Sequence, residues 1–361
     1  MKAAVLRAIG EPLRIEDVTL DAPKPREVVV RIAAVGVCHS DLHVLEGSLP
    51  NPLPMVLGHE PAGIVERVGS EVRHVAVGDH VIGCLSMFCG TCEYCMGGRP
   101  YLCEDEATRR RADEPPRLAN GAEAIGQFAN LGAFAARMLV HENALVRIRP
   151  DVALDRAALI GCGVTTGLGA VFNRARVRAG QSVVVIGCGG IGLSVVQGCR
   201  IAGAAKIIAV DTVPWKLDLA TRLGATGVVN AGEGNPVPPI VAMTAGGVDI
   251  AFEAIGNPAT VRQAVRMTRK GGTIVMIGVV PVGTNVELPA ADIVLREKAI
   301  LGCMMGSNRF RIDIPRYVEL YRSGQLRLDE MISARVPLEG LNAAFEALRR
   351  GTVARSVVVF E

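Results

Sequence analysis

The chain has 361 residues, a length that predicts two domains because a domain typically has about 150 residues. Lys and Arg number 39 against 36 Asp and Glu, so the net charge of +3 provides no strong basic field for nucleic acid. Half of the residues are hydrophobic but only 4% are aromatic. Small aliphatic side chains therefore build the core, and a disordered chain is excluded.

The ten cysteines are the most unusual part of this composition. They are far fewer than in a disulfide scaffold, and we expect no secretory signal because the first residues reach the charge of Arg7 too soon for an apolar region. We therefore expect a cytoplasmic, reducing location, where clustered cysteines are more often metal ligands than disulfides.

The first 150 residues contain short strand-like segments separated by turns, at 28–32, 63–68 and 80–84. This pattern predicts an antiparallel, β-rich domain. The segment 104–133 carries acidic and arginine residues whose charges nearly cancel. We interpret that segment as a solvated surface loop.

From about Asp155 the chain alternates between strands and helices, which predicts an α/β, Rossmann-type doubly wound parallel sheet. The stretch 182–199 has no charged residue, but its glycines favour a strand, turn and helix over a membrane span. A helix near 314–323 and a strand at 356–360 are expected to rejoin the first domain. The predicted domains are therefore 1–163 with 305–361, and 164–304. The strands of the sheet are expected at 182–186, 206–210, 248–253 and 273–277, and its helices at 191–202, 215–223 and 261–269.

A glycine-rich turn follows the strand at 182–186, with the sequence Gly187-Cys188-Gly189-Gly190-Ile191-Gly192. This G-x-G-x-x-G pattern opens a helix whose N-terminus faces the phosphates of a dinucleotide. Asp211 ends the next strand, 19 residues after Gly192. A carboxylate there accepts hydrogen bonds from a ribose diol and repels a 2′-phosphate, so the sequence predicts NAD rather than NADP.

A second motif, Cys89-x2-Cys92-x2-Cys95-x7-Cys103, places four thiols within 15 residues. Four thiolates close a tetrahedral shell around Zn²⁺ without an open position, which is typical of a structural site. The alternative, an iron–sulfur cluster of the bacterial ferredoxin type, needs three residues before its last Cys and a proline after it. The gap of seven residues and the following Glu104 favour zinc.

Two further segments concentrate ligand-type groups, Cys38-His39-Ser40-Asp41-Leu42-His43 and Gly58-His59-Glu60. Cys38 and His59 are suitable zinc ligands, and Asp41 is placed to hold the imidazole N–H of His59. Ser40 and His43 are candidates for moving a proton. Considered alone, each of these residues more often has a structural role than a catalytic or metal-binding one.

These motifs together resemble the zinc-dependent alcohol dehydrogenases of the medium-chain dehydrogenase/reductase superfamily over essentially the whole chain. Gly78-Asp79 and Gly161-Cys162-Gly163 also match that family. The resemblance implies a GroES-like catalytic domain beside the Rossmann domain, and a catalytic zinc held by Cys38, His59 and Cys162. It implies that Glu60 lies beside this metal, and that Ser40 and His43 form a proton relay. The residues it implies for cofactor binding are His39, Thr166, Gly187, Gly189, Gly190, Ile191, Gly192, Asp211, Lys216 and Arg355.

The implied reaction is reversible hydride transfer between a primary alcohol and NAD⁺, with one catalytic and one structural zinc per chain. The pocket residues implied by the resemblance are Leu49, Leu85, Phe128 and Val279. All four are apolar, so we expect a medium-sized apolar or aromatic alcohol rather than a polyol. Glutathione-dependent members carry Asp where this chain has Leu49, and some members carry Arg where it has His39.

The expected partner is a small-molecule alcohol or aldehyde, without nucleic acid or membrane. The long segment between Cys103 and Phe134 favours a homodimer over a tetramer. Other zinc enzymes of the superfamily remain alternatives, namely an aldehyde reductase or a secondary-alcohol or polyol dehydrogenase. A non-catalytic zinc- and NAD-binding protein is the alternative from another class, and a nucleic-acid-binding zinc ribbon has little support from the charge and aromatic content.

Overall fold

The computed structural model describes residues 1–111 and 113–361 of the chain. The described residues form two compact units, one made of Met1–Cys162 with Arg309–Glu361 and the other of Gly163–Asn308. The expected return to the first domain was at residue 305. Residues 305–308 instead belong to the second unit, because Thr166 donates a hydrogen bond to the Met305 sulfur and the Gly306 backbone lies against Gly169.

The first unit contains two mainly antiparallel sheets. One has the strand order β2-β1-β5-β9-β8-β3, and the other has the order β11-β7-β6-β4-β19-β18, with β10 also paired to β4. Its strands are β1 (Lys2–Leu6), β2 (Arg14–Asp17), β3 (Thr19–Leu20), β4 (Glu27–Gly36), β5 (Met55–Val56), β6 (Pro61–Val68), β7 (His80–Gly83), β8 (Leu118–Asn120), β9 (Glu123–Gln127), β10 (Arg137–His141), β11 (Leu145–Ile148), β18 (Ile332–Val336) and β19 (Arg355–Val359).

The apolar core of this unit includes side chains from both sheets, for example Val5 and Val30, together with Phe134 and Phe345. The rings of Phe134 and Phe345 meet edge to face, with centroids 6.1 Å apart. The helices of the unit are α1 (His39–Leu45), α2 (Glu93–Met96), α3 (Leu154–Leu159), α10 (Phe310–Arg322) and α11 (Leu341–Arg349).

The second unit is a six-stranded parallel sheet with the order β14-β13-β12-β15-β16-β17. Counted along the unit, this is the order 3-2-1-4-5-6 of a doubly wound sheet, in which ligands bind at the carboxyl ends of the strands where the order reverses. That position lies between β12 and β15. The strands are β12 (Ser182–Ile186), β13 (Lys206–Asp211), β14 (Gly227–Asn230), β15 (Val248–Glu253), β16 (Thr268–Met276) and β17 (Ala299–Gly302), and the helices are α4 (Thr165–Gly169), α5 (Gly190–Ile201), α6 (Pro214–Leu223), α7 (Val237–Met243), α8 (Pro258–Met267) and α9 (Ala290–Leu295).

The fold class predicted from the sequence, a Rossmann-type α/β sheet plus a β-rich domain, is confirmed by this architecture. The uncharged stretch 182–199 forms β12 and most of α5. Among the residues that the structure describes, no helix combines the length and apolar character that crossing a membrane requires.

The interpretation of residues 104–133 as a solvated loop fits the mostly exposed stretches 104–111 and 121–124 but is wrong for the parts that pack against the rest of the unit. Arg110 and Arg117 are buried on the carboxylate of Glu27 in β4, with the closest contact of Arg117 at 2.7 Å. Leu118 and Leu131 are also buried, and the segment contains β8 and β9. Buried ion pairs with a distant strand, rather than hydration, therefore stabilise this segment.

Candidate active site

The four-cysteine segment brings its sulfur atoms together at the surface of the first unit, around the short helix α2. The sulfurs of Cys89, Cys92, Cys95 and Cys103 all lie within 4.8 Å of one another. The distances from Cys89 to Cys95 and from Cys92 to Cys103 are 3.9 and 3.8 Å. A tetrahedral zinc site with Zn–S bonds of about 2.3 Å has sulfurs about 3.8 Å apart, so these residues fit a zinc ion.

Hydrogen-bond donors favour a thiolate at Cys89, whereas burial raises the pKa of Cys95 and of Cys103. The N–H groups of Thr91 and Cys92 lie 3.4 and 3.3 Å from the Cys89 sulfur, and the N–H of Cys89 lies 3.3 Å from the Cys103 sulfur. Hydrogen bonds from Thr91 and Cys92 lower the pKa of Cys89 to about 6. None of the ten cysteines, all of which lie within the described residues, forms a disulfide.

A second cluster, fully buried, consists of Cys38, His59, Glu60 and Cys162, whose ligand atoms also lie within 4.8 Å of one another. Three separate parts of the first unit supply it. Cys38 precedes the first residue of α1, His59 and Glu60 immediately precede β6, and Cys162 lies in the π-helical turns Ile160–Val164. Such turns interrupt an α-helix locally and frequently occur at functional sites.

Asp41 orients the imidazole of this cluster. One carboxylate oxygen of Asp41 accepts hydrogen bonds from the Gly58 N–H, at 2.8 Å, and from Nδ1 of His59, at 3.1 Å. With its proton on Nδ1, His59 presents the lone pair of Nε2, which is buried and has no hydrogen-bond partner among the described residues. A buried nitrogen lone pair beside two thiols fits a zinc ion.

Glu60 is paired with Arg355 of β19 inside the same unit, and both side chains are buried. Burial raises the pKa of Glu60 to about 7, although the charge of Arg355 opposes this. The second carboxylate oxygen of Glu60 is buried without a hydrogen-bond partner in the described part of the chain. Arg355, predicted to bind the cofactor, therefore lies against a residue of the metal cluster.

The predicted proton-relay residues lie on α1, directly after Cys38. The hydroxyl oxygen of Ser40 is 3.9 Å from the Cys38 sulfur, and His43 lies one helical turn further and is half-buried. The rings of His39 and His43 have centroids 6.5 Å apart, and His39 is exposed. In the described part of the chain Ser40 and His43 share no direct hydrogen bond, so proton transfer between them requires a bridging hydroxyl or water.

Three of the four predicted pocket residues belong to this unit. Phe128 is buried and meets the His59 ring edge to face, with centroids 5.4 Å apart. Leu49 and Leu85 are partly buried against the apolar core. Val279 belongs to the other unit, where 66% of it is exposed.

The glycine-rich turn in the second unit has the form that phosphate binding requires. A Cβ on Gly192 would lie 1.7 Å from the carbonyl oxygen of Gly187, so only glycine lets α5 close on β12. A Cβ on Gly189 would meet nothing within 4 Å, which leaves space above the helix N-terminus. Gly190 and Ile191 lie in the first turn of α5, where no side chain of the described residues caps the helix and the N–H groups can donate to an anion.

Asp211 is the last residue of β13, and backbone groups orient it. Its carboxylate accepts hydrogen bonds from the N–H of Cys188, at 2.7 Å, and from the N–H of Val213, at 3.0 Å. The Lys216 ammonium lies 5.8 Å from the ring centroid of Trp215, early in α6. Thr166 is buried in α4 with its hydroxyl on the Met305 sulfur.

The remaining cysteines are buried, and burial raises the pKa of each of them. The values are about 11 for Cys84, about 12 for Cys188 and about 11 for Cys303. Cys199 shifts in the same direction. These thiols are protonated at neutral pH, and none belongs to either cluster.

Sequence reasoning missed the pairing of Glu60 with Arg355, which are 295 residues apart. It also missed Glu253, a fully buried carboxylate at the carboxyl end of β15. The only local signal for Glu253 was its position at the end of a strand followed by an Ile-Gly turn.

A buried Cys₂His group beside a carboxylate, a closed Cys₄ cluster and a dinucleotide-binding sheet define a zinc- and nucleotide-dependent oxidoreductase. Residues 24–150 match the family model described as the alcohol dehydrogenase GroES-like domain, and residues 190–322 match that of the zinc-binding dehydrogenases. The chain belongs to the zinc-dependent alcohol dehydrogenase family of the medium-chain dehydrogenase/reductase superfamily.

Three proteins that are similar to this chain differ in the activity that their names give. The putative alcohol dehydrogenase D of Mycobacterium tuberculosis is 38% identical over 99% of both chains. The S-(hydroxymethyl)glutathione dehydrogenase of Synechocystis is 39% identical, again over 99% of both. The crystal structure of benzyl alcohol dehydrogenase from Acinetobacter calcoaceticus superposes with a TM-score of 0.95 at 33% identity, covering 100% of this chain and 99% of that one.

Proposed function

We propose that the protein catalyses reversible oxidation of medium-sized apolar or aromatic primary alcohols to aldehydes with NAD⁺. The observation that carries this proposal is the buried cluster of Cys38, His59 and Cys162, with a free imidazole lone pair and the Phe128 ring beside it. An apolar neighbour at the metal favours a hydrophobic substrate over a polyol, because hydroxyl groups without partners are costly to bury.

In this proposal Cys38, His59 and Cys162 hold the catalytic zinc, and Asp41 fixes the orientation of the His59 ring. When bound, zinc supplies a Lewis acid and NAD⁺ supplies a hydride acceptor. Ser40, next to Cys38, accepts the hydroxyl proton of the alcohol while its own hydroxyl proton moves through a bridging hydroxyl or water to His43, which releases a proton to solvent. Phe128 and Leu85 exclude water from the reacting carbon.

Asp211 supports the choice of NAD over NADP. Two backbone N–H groups hold its carboxylate at the end of β13, where the ribose diol binds in doubly wound folds. A 2′-phosphate would bring negative charge against this carboxylate, which electrostatics disfavours. Cys89, Cys92, Cys95 and Cys103 hold the structural zinc, since four sulfurs leave no position open for substrate.

Two further parts of the proposal concern assembly and location. We propose a homodimer, which a sedimentation measurement tests: a mass of two chains supports it and a mass of four contradicts it. The reducing, cytoplasmic location that we propose is supported by the six cysteines that cluster as candidate metal ligands.

The test of the function is a panel of substrates with NAD(H) and NADP(H). It comprises ethanol, hexanol, benzyl alcohol, a polyol, the corresponding aldehydes and S-(hydroxymethyl)glutathione. The proposal predicts the highest kcat/KM for benzyl alcohol or hexanol with NAD⁺. Preference for S-(hydroxymethyl)glutathione would contradict the role of Leu49, preference for ethanol would contradict the size of the pocket, and no turnover of any alcohol or aldehyde would contradict the activity.

A further inference from the structure

Glu253 is a fully buried carboxylate at the carboxyl end of β15, next to the point where the strand order of the sheet reverses. One of its oxygens accepts hydrogen bonds from the N–H of Ile255, at 3.0 Å, from the N–H of Gly256, at 2.9 Å, and from the Thr260 hydroxyl, at 2.8 Å. The described residues include no cation within ion-pair distance of it. Backbone and hydroxyl donors of the following turn therefore compensate its burial.

The turn at residues 254–256, which Glu253 holds, contacts two other segments of the second unit. On one side, a Cβ on Gly187 would lie 2.6 Å from a side-chain carbon of Ile255, so Ile255 lies over the start of the glycine-rich turn. On the other side, a Cβ on Gly256 would lie 2.4 Å from the carbonyl oxygen of Val279. The turn therefore lies between the phosphate-binding segment and a predicted pocket residue.

The backbone of Glu253 strengthens the second contact. Its carbonyl oxygen accepts hydrogen bonds from the N–H groups of Ile277, at 2.8 Å, and Gly278, at 3.0 Å. The side chain and the main chain of one residue thus fix two neighbouring loops. Both loops present exposed apolar side chains, with Ile255 49% and Val279 66% exposed.

We propose that Glu253 is a positioning residue for the dinucleotide and the substrate: it holds the 254–256 turn against Gly187 and Val279. This inference rests on the proposed function, because it assumes that a dinucleotide binds at this end of the sheet. The position calls for a group that only accepts hydrogen bonds. Glutamine has nearly the same shape, but its NH₂ group would face the N–H of Gly256, which lies 3.2 Å from the second carboxylate oxygen.

Asp249 provides a matched control at the opposite end of the same strand. Its carboxylate accepts hydrogen bonds from the N–H and the hydroxyl of Ser182, both at 2.7 Å. It also pairs with Arg269 at the surface. Asp249→Asn thus weakens a comparable attachment of β15 far from the carboxyl ends of the strands.

The experiment compares Glu253→Gln and Asp249→Asn with the parent protein. NADH binding is followed by the quenching of Trp215, the only tryptophan, which lies in α6 shortly after Asp211. Urea unfolding gives the stability of each protein, and steady-state kinetics give KM and kcat for benzyl alcohol.

For Glu253→Gln we expect an approximately tenfold higher Kd for NADH and a higher KM for benzyl alcohol, since the amide sets its NH₂ group against the Gly256 N–H and removes the charge that strengthens the other hydrogen bonds. For Asp249→Asn we expect a Kd within about twofold of that of the parent, even if this variant loses as much stability as Glu253→Gln. An unchanged Kd in Glu253→Gln, or equal losses of affinity in both variants at equal stability, would overturn the inference.

The binding measurement separates this inference from the proposed function. A parent protein that binds NADH but oxidises no alcohol contradicts the function, while the comparison of Kd values still decides the role of Glu253. A parent protein that binds no NADH contradicts both.

Discussion

Replacing Asp41 by asparagine should selectively weaken the catalytic zinc. The native carboxylate is fully buried and one of its oxygens accepts both the Gly58 N–H and the His59 Nδ1–H. If the asparagine carbonyl keeps these two bonds, its NH₂ group takes the place of the second oxygen, which is buried without a partner among the described residues. If the amide turns round, its NH₂ group faces Nδ1 and forces the His59 proton onto Nε2, where it blocks the metal.

Both arrangements weaken the support of the His59 ring. An amide oxygen is a weaker acceptor for the Nδ1–H than a carboxylate, and the turned amide places the proton on the nitrogen that would bind the metal. Removing the group that orients a metal-binding histidine typically lowers metal affinity by about 10–100-fold, and a tenfold change corresponds to about 1.4 kcal/mol. We therefore expect the affinity for one zinc to fall by about 10–100-fold, with the affinity for the other unchanged.

The assay is stepwise removal of zinc with a colorimetric chelator, followed by measurement of the metal that stays bound. Asp41→Asn should lose one zinc at about 10–100-fold lower chelator concentration than the parent and keep the zinc of the Cys89–Cys103 segment. Cys84→Ala is the control, because Cys84 is a buried thiol outside both clusters. If Asp41→Asn holds both zinc ions as tightly as Cys84→Ala does, Asp41 does not orient His59 for zinc binding.

Cys95→Ser should lower the zinc content from two ions per chain to one and destabilise the fold, as metal analysis and thermal unfolding would show; unchanged metal content would contradict a Cys₄ site. Glu27→Ala removes the carboxylate that pairs with buried Arg117 and one carboxylate that pairs with Arg110, which keeps Asp21, and it should lower the free energy of unfolding by about 3 kcal/mol in urea titrations. Although burial raises the pKa of Glu27, hydrogen bonds from Arg110 and the backbone lower it to about 2. Its contribution is therefore present above pH ~4.3 and lost as the pH falls toward 2, so the variant should lose less stability across that window than the parent. Asp211→Ser should reduce the preference for NAD⁺ over NADP⁺ in kcat/KM by about tenfold, and an unchanged ratio would refute its role. Leu85→Trp should raise KM for benzyl alcohol about tenfold with little change for ethanol; equal effects on both would remove Leu85 from the pocket.

The spacing of residues along the chain was sufficient to predict two parts of the molecule. The four cysteines at 89–103 lie within 15 residues, so a short segment with glycine turns is enough to bring their sulfurs together. The glycine-rich turn likewise needs only β12 and α5, which are adjacent in the chain. In both cases the chemistry depends on contacts between near neighbours in sequence, and periodicity and turn residues encode such contacts.

The buried cluster depends on contacts that no local pattern encodes. Cys162 lies 103 residues beyond His59, and only the family resemblance connected them. The pairing of Glu60 with Arg355 has no sequence signal either, because β19 reaches the cluster through its pairing with β4. Segment 104–133 shows the same limitation: its charges nearly cancel locally, yet Arg117 is neutralised by Glu27, 90 residues earlier.

The edge strands of the second unit were also missed, since β14 and β17 have only four residues each. Such short segments carry too little alternation to be distinguished from turns. Their parallel pairing with β13 and β16 defines them in the structure.

The most direct test of the account is alcohol oxidation measured against zinc content. The parent protein, prepared with both metals, should reduce NAD⁺ in the presence of benzyl alcohol. The rate should vanish when a chelator removes the zinc held by Cys38, His59 and Cys162, and it should return when zinc is added back. A protein that keeps full activity in Cys38→Ala or His59→Ala variants, which retain only the Cys₄ zinc, would contradict the account.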